Sequence, residues 1–328
     1  MTLPKNLVAA RLTALLAAVF IAAVLALPGP AALAEGARTI KLIVPYPPAS
    51  GPDILARLMA EQVGRMRGAT IVIENRPGGG TVIGTEAAAR AAPDGNTILL
   101  VANSFIVNPA FKKQNYDVSG SFDPVCYLAS TPMVLVVQGS SPYKTLNDLL
   151  SAARTKPGEL SLGTSPNSSL YVAFEVLKRS AKINMTFVPF PGNGPAVNML
   201  MGGHLTSVLA DYPAVVSHLK SGTLRGLVTA SGKRISTLPE VPTFAEAGIK
   251  YQADIFYGIV APAKTPPDML KQLSNWFSTA LKAPEVQPKL AMQGLFPVGV
   301  CGTAFGDFIR KFGEEYVRIV GEAGLKAN

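Results

Sequence analysis

The 328-residue sequence predicts an α/β fold of two domains, each a mostly parallel sheet flanked by helices, closing on each other as a clamshell. Three observations lead there. Strand-like apolar runs and helix-period runs alternate from Thr39 to Ala102, the signature of a parallel sheet with right-handed crossovers. The same alternation resumes after Thr145 and continues to Thr229, so a second domain repeats the plan of the first. Two extended stretches, 125–137 and 255–261, carry the chain between them and place a cleft between the two sets of strand-to-helix loops. Residues 35–130 with 260–328 then form the first domain and 131–259 the second.

Residues 1–34 stand outside this plan. Lys5 and Arg11 precede an uncharged run over 12–27, and Ala32-Leu33-Ala34 supplies a small-residue cleavage site, so the segment reads as a secretory signal peptide cut before Glu35. The uncharged run is shorter than the ~20 residues a membrane-spanning helix needs. Loss of the leader lowers the formal charge from +9 to +7. A modest positive balance either draws acidic solutes or simply keeps the protein soluble. The basic residues are scattered without interleaved aromatics, which argues against nucleic acid as a partner. Cys126 and Cys301 remain in an exported chain, where disulfides persist; their spacing leaves a bond and two separate buried thiols equally open.

In the first domain, Thr39-Ile-Lys-Leu-Ile-Val44 is a strand that ends in the turn Pro45-Tyr-Pro-Pro-Ala-Ser50. Ile54, Leu55, Leu58, Met59 and Val63 recur at three- and four-residue spacing, which predicts an amphipathic helix. Ser50 as N-cap, Pro52 in the first turn and Asp53 three residues after the cap predict a capping box. Thr70-Ile-Val-Ile-Glu74 is the second strand, Asn75-Arg-Pro-Gly-Gly-Gly80 the second turn, and a helix follows over 82–91. Thr97-Ile-Leu-Leu-Val101 is the third strand, leaving Asn103 and Ser104 at the same sheet edge. Residues 108–122 read as polar and irregular.

In the second domain, Thr145-Leu-Asn-Asp148 predicts a boxed helix that stops at Pro157-Gly158. A strand over 160–163, a polar loop over 164–169 and a helix over 170–182 follow. A strand over 185–190, the loop Gly192-Asn-Gly194, a helix to about Gly202 and strands over 205–209 and 224–229 complete the pattern. After 255–261, Lys264-Thr-Pro-Pro-Asp268 opens a long amphipathic helix through Ala283, and two helical segments near 285–293 and 303–324 end the chain.

Strand-to-helix turns set side by side aim helix N-termini at one sheet edge, where N–H groups without intrahelical partners hold an anion. This predicts binding groups at Tyr46, Pro48, Ala49, Ser50 and Asp53 of the first turn, Gly78 and Gly79 of the second, and Ser104 after the third strand. From the second domain, Ser165, Asn167, Ser168 and Ser169 either add a second anion clamp or serve as caps and turn formers. Asp211 either caps the helix after Pro213 or faces the cleft, where it would attract an ammonium group and repel a plain dicarboxylate. Tyr171 either lines the cleft or packs beside it.

Other chemistry finds little support. The glycine run misses the dinucleotide fingerprint by one residue and lacks the Gly-Lys-Ser/Thr of a P-loop. His204 and His218 stand without cysteines or acidic clusters at metal-ligand spacing, and Gly163-Thr-Ser-Pro-Asn167 lacks the last glycine of a nucleophile elbow. No metal, cofactor or catalytic residue is predicted.

Val44-Pro-Tyr-Pro-Pro48 with Asp53-Ile-Leu-Ala-Arg57, Glu74-Asn-Arg-Pro-Gly-Gly-Gly80 with Ile83-Gly84, Val188-Pro-Phe-Pro-Gly192 and Leu238-Pro-Glu-Val-Pro-Thr-Phe-Ala-Glu-Ala-Gly248 stand in one order along nearly all of the chain after the leader. In these motifs the sequence resembles the periplasmic solute receptors of tripartite tricarboxylate transporters, the Bug or TctC family. The resemblance implies a type II-like periplasmic binding protein clamshell, monomeric and without enzymatic activity. It also implies a small carboxylate ligand (a dicarboxylate, an aromatic acid or an acidic amino acid) and an integral membrane permease as partner. A periplasmic enzyme acting on a carboxylate and a ligand-sensing partner of a sensor kinase are the alternatives. In that family the turn matching Pro47 to Asp53 reads Pro-Gly-Gly and holds the ligand carboxylate largely through backbone groups and waters. Ala49 and Ser50 replace the glycines here. Side chains disfavour positive φ, so a differently shaped or narrower turn is expected, with Ser50 offering its own hydroxyl.

Overall fold

A computed structural model describes residues 38–111, 113–166, 168–322 and 324, and the predicted leader and the candidate Asn167 lie outside the described residues. In chain order the elements are β1 (Thr39–Val44), α1 (Gly51–Arg67), β2 (Thr70–Asn75), α2 (Val82–Ala89), β3 (Thr97–Ala102), α3 (Asn103–Phe111) and the long strand β4 (Phe122–Gln138). Next come α4 (Leu146–Thr155), β5 (Ser161–Thr164), α5 (Ser169–Ala181), β6 (Thr186–Pro189), α6 (Asn193–Met201), β7 (Ser207–Asp211), α7 (Tyr212–Lys220) and β8 (Leu224–Thr229). The chain ends with β9 (Asp254–Pro262), α8 (Pro267–Lys282), α9 (Gln287–Met292), β10 (Phe296–Cys301) and α10 (Thr303–Glu322).

The apolar periods decide which faces are covered. β1 buries Ile40, Leu42, Ile43 and Val44, and α1 turns Leu55, Ala56, Met59 and Val63 inward. Gly68 ends α1 in the left-handed conformation, its N–H closing on the Gly64 carbonyl. α4 begins with the predicted box, Thr145 accepting from the Asp148 amide and Asp148 accepting from the Thr145 amide.

β1 lies between β2 and β3 and runs parallel to both; β5 lies likewise between β6 and β7. These two parallel sets are the halves that the alternation predicted. β4 joins them: residues 122–132 pair antiparallel with β9, and 133–138 pair antiparallel with β7 and β8. The sheet is therefore continuous, in the order β2-β1-β3-β9-β4-β7-β5-β6, and both connecting stretches seen in the sequence are strands within it. β9 also pairs with β3.

Three local expectations are corrected. Residues 103–111 form α3, where polarity suggested irregular chain from Asn108 onward; burial of Phe105, Ile106 and Val107 outweighs the weak helix propensity of Asn103, Ser104 and Asn108. β10 was not expected at all: it is short and none of its residues is buried, but it pairs antiparallel with β4, and Cys301 sits opposite Cys126, with which it forms a disulfide. The Ser50 capping box does not form, for reasons that belong to the site below.

Candidate functional site

The first side of the site is built from the carboxyl ends of β1, β2 and β3. Tyr46, just after β1, is half-buried and its hydroxyl lies 2.8 Å from Ser104 Oγ at the start of α3. Thr81 Oγ1 donates to the same oxygen over 3.1 Å. The glycine turn brings Thr81 there: Gly78, Gly79, Gly80 and Thr81 all have positive φ, and Asn108 Nδ2 ties the Gly80 carbonyl at 2.7 Å. Gly84 lets α2 approach, since a Cβ there would stand 2.8 Å from the Arg76 carbonyl and from Pro45 Cβ. Three hydroxyls thus cluster beside exposed Gly78 and Gly79.

Beneath the first turn, Asp53 replaces the predicted box with a different arrangement. Ser50 does occupy the N-cap with extended backbone, but its hydroxyl donates to the Pro47 carbonyl at 2.7 Å and accepts nothing from the helix. Asp53 Oδ2 accepts from the Ala49 amide at 2.8 Å and from Arg57 Nε at 2.9 Å, while Oδ1 accepts from Asn75 Nδ2 at 2.8 Å. The same Asn75 amide reaches the Tyr46 carbonyl at 3.1 Å, so one carboxylate fastens the turns after β1 and β2 together. Burial would push its pKa up, but the bonds from Arg57, Asn75 and Ala49 and the charge of Arg57 outweigh that and hold it below the usual value.

Pulled inward by Asp53, Ala49 adopts φ 61°, the left-handed conformation of a glycine. The turn therefore keeps a glycine-like backbone at Ala49, where a differently shaped one was expected. That conformation costs a non-glycine residue roughly 1–2 kcal/mol. Glycine restores part of it as unfolded-state freedom, so Ala49→Gly is expected to stabilise the protein by about 0.5–1 kcal/mol, read as a raised urea midpoint at unchanged slope.

The second side centres on Asp211 at the end of β7. It is the N-cap residue of α7 in extended conformation but makes no side-chain cap bond. Its Oδ2 instead accepts from Tyr257 Oη at 3.1 Å, and its Oδ1 accepts from Asn193 Nδ2 at the start of α6. The other end of that amide, Asn193 Oδ1, is out of contact with solvent and has no hydrogen-bond partner. Burial pushes the Asp211 carboxyl up to about 6, the bonds from Tyr257 and Asn193 opposing it only in part. The two sides meet here. A Cβ on Gly51, the first residue of α1, would sit 3.5 Å from Pro213 Cβ and Tyr257 Oη and 3.7 Å from Asp211 Oδ2.

The serine loop is divided in its roles. Ser168 is the N-cap of α5, accepting from the Tyr171 amide at 3.2 Å and donating to the Ser165 carbonyl at 2.6 Å. Ser169 is buried, while Ser165 is half-buried. Tyr171 packs on Phe187 with ring centroids 4.8 Å apart and on Phe111 of α3 at 6.5 Å, joining the halves away from the hydroxyl cluster. Sequence reading missed Thr81, Asn193 and Tyr257. Thr81 and Asn193 border glycine turns and carried a faint signal; Tyr257, inside an apolar strand, carried none.

Residues 55–325 match the model of a family described as the tripartite tricarboxylate transporter family receptor. The chain is 33% identical over 297 residues to protein BugT of Bordetella pertussis, covering 88% of this chain and 90% of that protein. Among solved structures, an R. palustris protein with adipate superposes with a TM-score of 0.84 at 28% identity, over 89% of this chain and 99% of that one. MatC of Rhodopseudomonas palustris, with bound malate, gives 0.79 at 27% identity over 87% and 99%.

Proposed function

Because the chain belongs to the tripartite tricarboxylate transporter receptor family, made of solute-binding receptors rather than enzymes, we propose that it captures a small carboxylate in the periplasm for a membrane permease of that transporter class. The lobes that close are residues 35–130 with 260–328 and residues 131–259, with β4 and β9 running between them. One observation carries this reading: the starts of α1 and α7, which arise from the two halves of the sheet, converge within a methyl group's reach at Gly51 and Asp211.

The two sides differ in chemistry. Thr81 gives its proton to Ser104, so the Tyr46–Ser104 pair keeps one hydroxyl donor; the Ala49 and Ser50 amides are already donated to Asp53 and to the Pro47 carbonyl, and Gly78 and Gly79 offer turn amides for a carboxylate. Asp211 and Asn193 Oδ1 offer acceptors. The ligand is thus an acid whose far end donates a hydrogen bond, with an acidic amino acid or hydroxy acid matching better than a plain dicarboxylate. The solved relatives with adipate and malate support the carboxylate end. Pro48, Ser165 and Ser168 border the ligand from the loops, Asp53 acts through the turn it holds, and Ser169 acts from beneath.

Titration calorimetry on the monomeric mature chain, freed of copurified ligand, tests the reading against dicarboxylates, hydroxy acids, aromatic and nicotinate-like acids and acidic amino acids. At least one is expected to bind with a Kd of about 1 μM or tighter, near −8 kcal/mol. No heat from any of them would overturn it.

A further inference from the structure

Asp211 stands where the two halves of the sheet touch, and α1 begins directly over it: a Cβ on Gly51 would lie 3.7 Å from Asp211 Oδ2. In this closed arrangement the residue is 7% exposed. Its neighbours on every side are neutral. Tyr257 of β9 and Asn193 of α6 donate to it, Met133 of β4 lies opposite it in the ladder, and the Ala214 amide of α7 bonds to it. The titratable groups that act on it are two phenols, Tyr257 and Tyr46, and burial keeps both protonated well beyond neutral pH. A carboxylate sealed in this way lacks one positive charge, and a proton is the smallest group that supplies it. Burial accordingly moves the Asp211 pKa up to about 6. Parting of the lobes would let water reach the carboxyl and return it to the ordinary value of about 3.9.

Resting on the carboxylate-receptor reading above, we propose that the cleft closes on a plain dicarboxylate only together with a proton, held on Asp211, and closes on an acid bearing an ammonium group without taking one up. The ammonium group brings the missing positive charge and a donor for Asn193 Oδ1, which has no partner. A dicarboxylate brings a like charge instead, which holds the proton more firmly, and the protonated Asp211 carboxyl donates to the far carboxylate. The proton is thus a co-ligand for one class of acid and not for the other, so external pH sets which class the receptor prefers.

Calorimetry on the mature chain at about pH 6, in MES and in imidazole buffers, whose heats of protonation differ, counts the protons that accompany binding. The probes are succinate, glutarate and adipate against L-aspartate and L-glutamate. The tightest dicarboxylate is expected to take up at least about half a proton per site, from the shift of the Asp211 pKa past the working pH, and the amino acids close to none. Asp211→Asn, which has no carboxyl to protonate, should lose that uptake and leave only what the ligand itself titrates. Measured against this variant, the dicarboxylate Kd of the wild type should rise about five- to tenfold from pH 5 to pH 6, close to the tenfold per pH unit of a single coupled proton. Dicarboxylate heats that do not depend on buffer, equal uptake by the variant, or equal uptake with the amino acids would overturn the proposal while the receptor reading stands. Silence from either class of acid at pH 5 to 6 would overturn it as well; the receptor reading itself falls only if every acid of the wider panel above is silent.

Discussion

Asp53→Ala is expected to destabilise the protein by about 3 kcal/mol and to weaken ligand binding at least tenfold. The carboxylate is fully buried and accepts from three donors on three segments: the Ala49 amide, Arg57 Nε and Asn75 Nδ2. Breaking a buried, hydrogen-bonded charge typically costs ~3–5 kcal/mol. The lower end applies because Arg57 and Ala49 are exposed and regain water. Without Asp53 nothing holds Ala49 at positive φ, so the turn relaxes and the Gly51 amide, at the start of α1 where no intrahelical acceptor exists, leaves the position from which it would meet a carboxylate. Asp53→Asn should be nearly as damaging, since an amide offers the surrounding donors one acceptor where the carboxylate offered two. The pH dependence separates this from a packing defect. Asp53 has a lowered pKa in the folded state, so its contribution is complete above the unfolded value of about 3.9 and is lost as pH falls through the folded value. Chemical denaturation should show a constant gap between wild type and Asp53→Ala from pH 8 to 5 that narrows below pH 4. A gap that persists at pH 3 would place the damage in packing instead.

What the sequence made legible was whatever depends on neighbours along the chain. The 3.6-residue recurrence of Leu55, Met59 and Val63 and the Thr145–Asp148 box are local signals, and each lies where it was expected. α3 was half-legible: its polar residues point to loop in isolation, and only Phe105 and Ile106 meeting Tyr116, Phe122 and Phe256 across the sheet make a helix there. β10 was illegible because its partner, β4, lies more than 150 residues away in sequence, and the disulfide between them could not be chosen over free thiols without that pairing. The site shows the same division. Ala49 was expected to reshape its turn because propensity speaks for the residue alone. Asp53, fastened to Asn75 of the next strand, overrides it. Thr81 meeting Ser104 and Tyr257 meeting Asp211 are products of register, which no spacing along the chain displays.

Asp211→Asn is expected to make the protein more stable and its recognition worse. With a folded pKa of about 6 against an unfolded value near 3.9, the native state holds the Asp211 proton more tightly than the unfolded chain does. Stability from this group is therefore fully present below pH 4 and is lost as pH rises through 6. By pH 7 the loss is on the order of 3 kcal/mol, at about 1.4 kcal/mol for each pH unit between the two values. Asparagine does not ionise, so the variant should gain most of that amount at pH 7 and nothing at pH 4, a difference that denaturation at the two pH values reads directly. No lysine or arginine among the described residues pairs with Asp211; Tyr257 and Asn193 are its partners, and both are neutral. A buried carboxylate held charged without a cation, next to an amide oxygen that has no donor, fits a ligand that brings both. An acid bearing an ammonium or hydroxyl group should bind Asp211→Asn about 10–100-fold more weakly than wild type, the weight of a charge-assisted hydrogen bond in a desolvated site. A plain dicarboxylate should bind the variant more tightly, because a like charge has been removed from its path. If calorimetry shows both ligand types shifting together, Asp211 supports the fold of the cleft without reading its contents. Divergence between them, combined with the gain in stability, is what a recognition residue kept at the expense of the folded state would give.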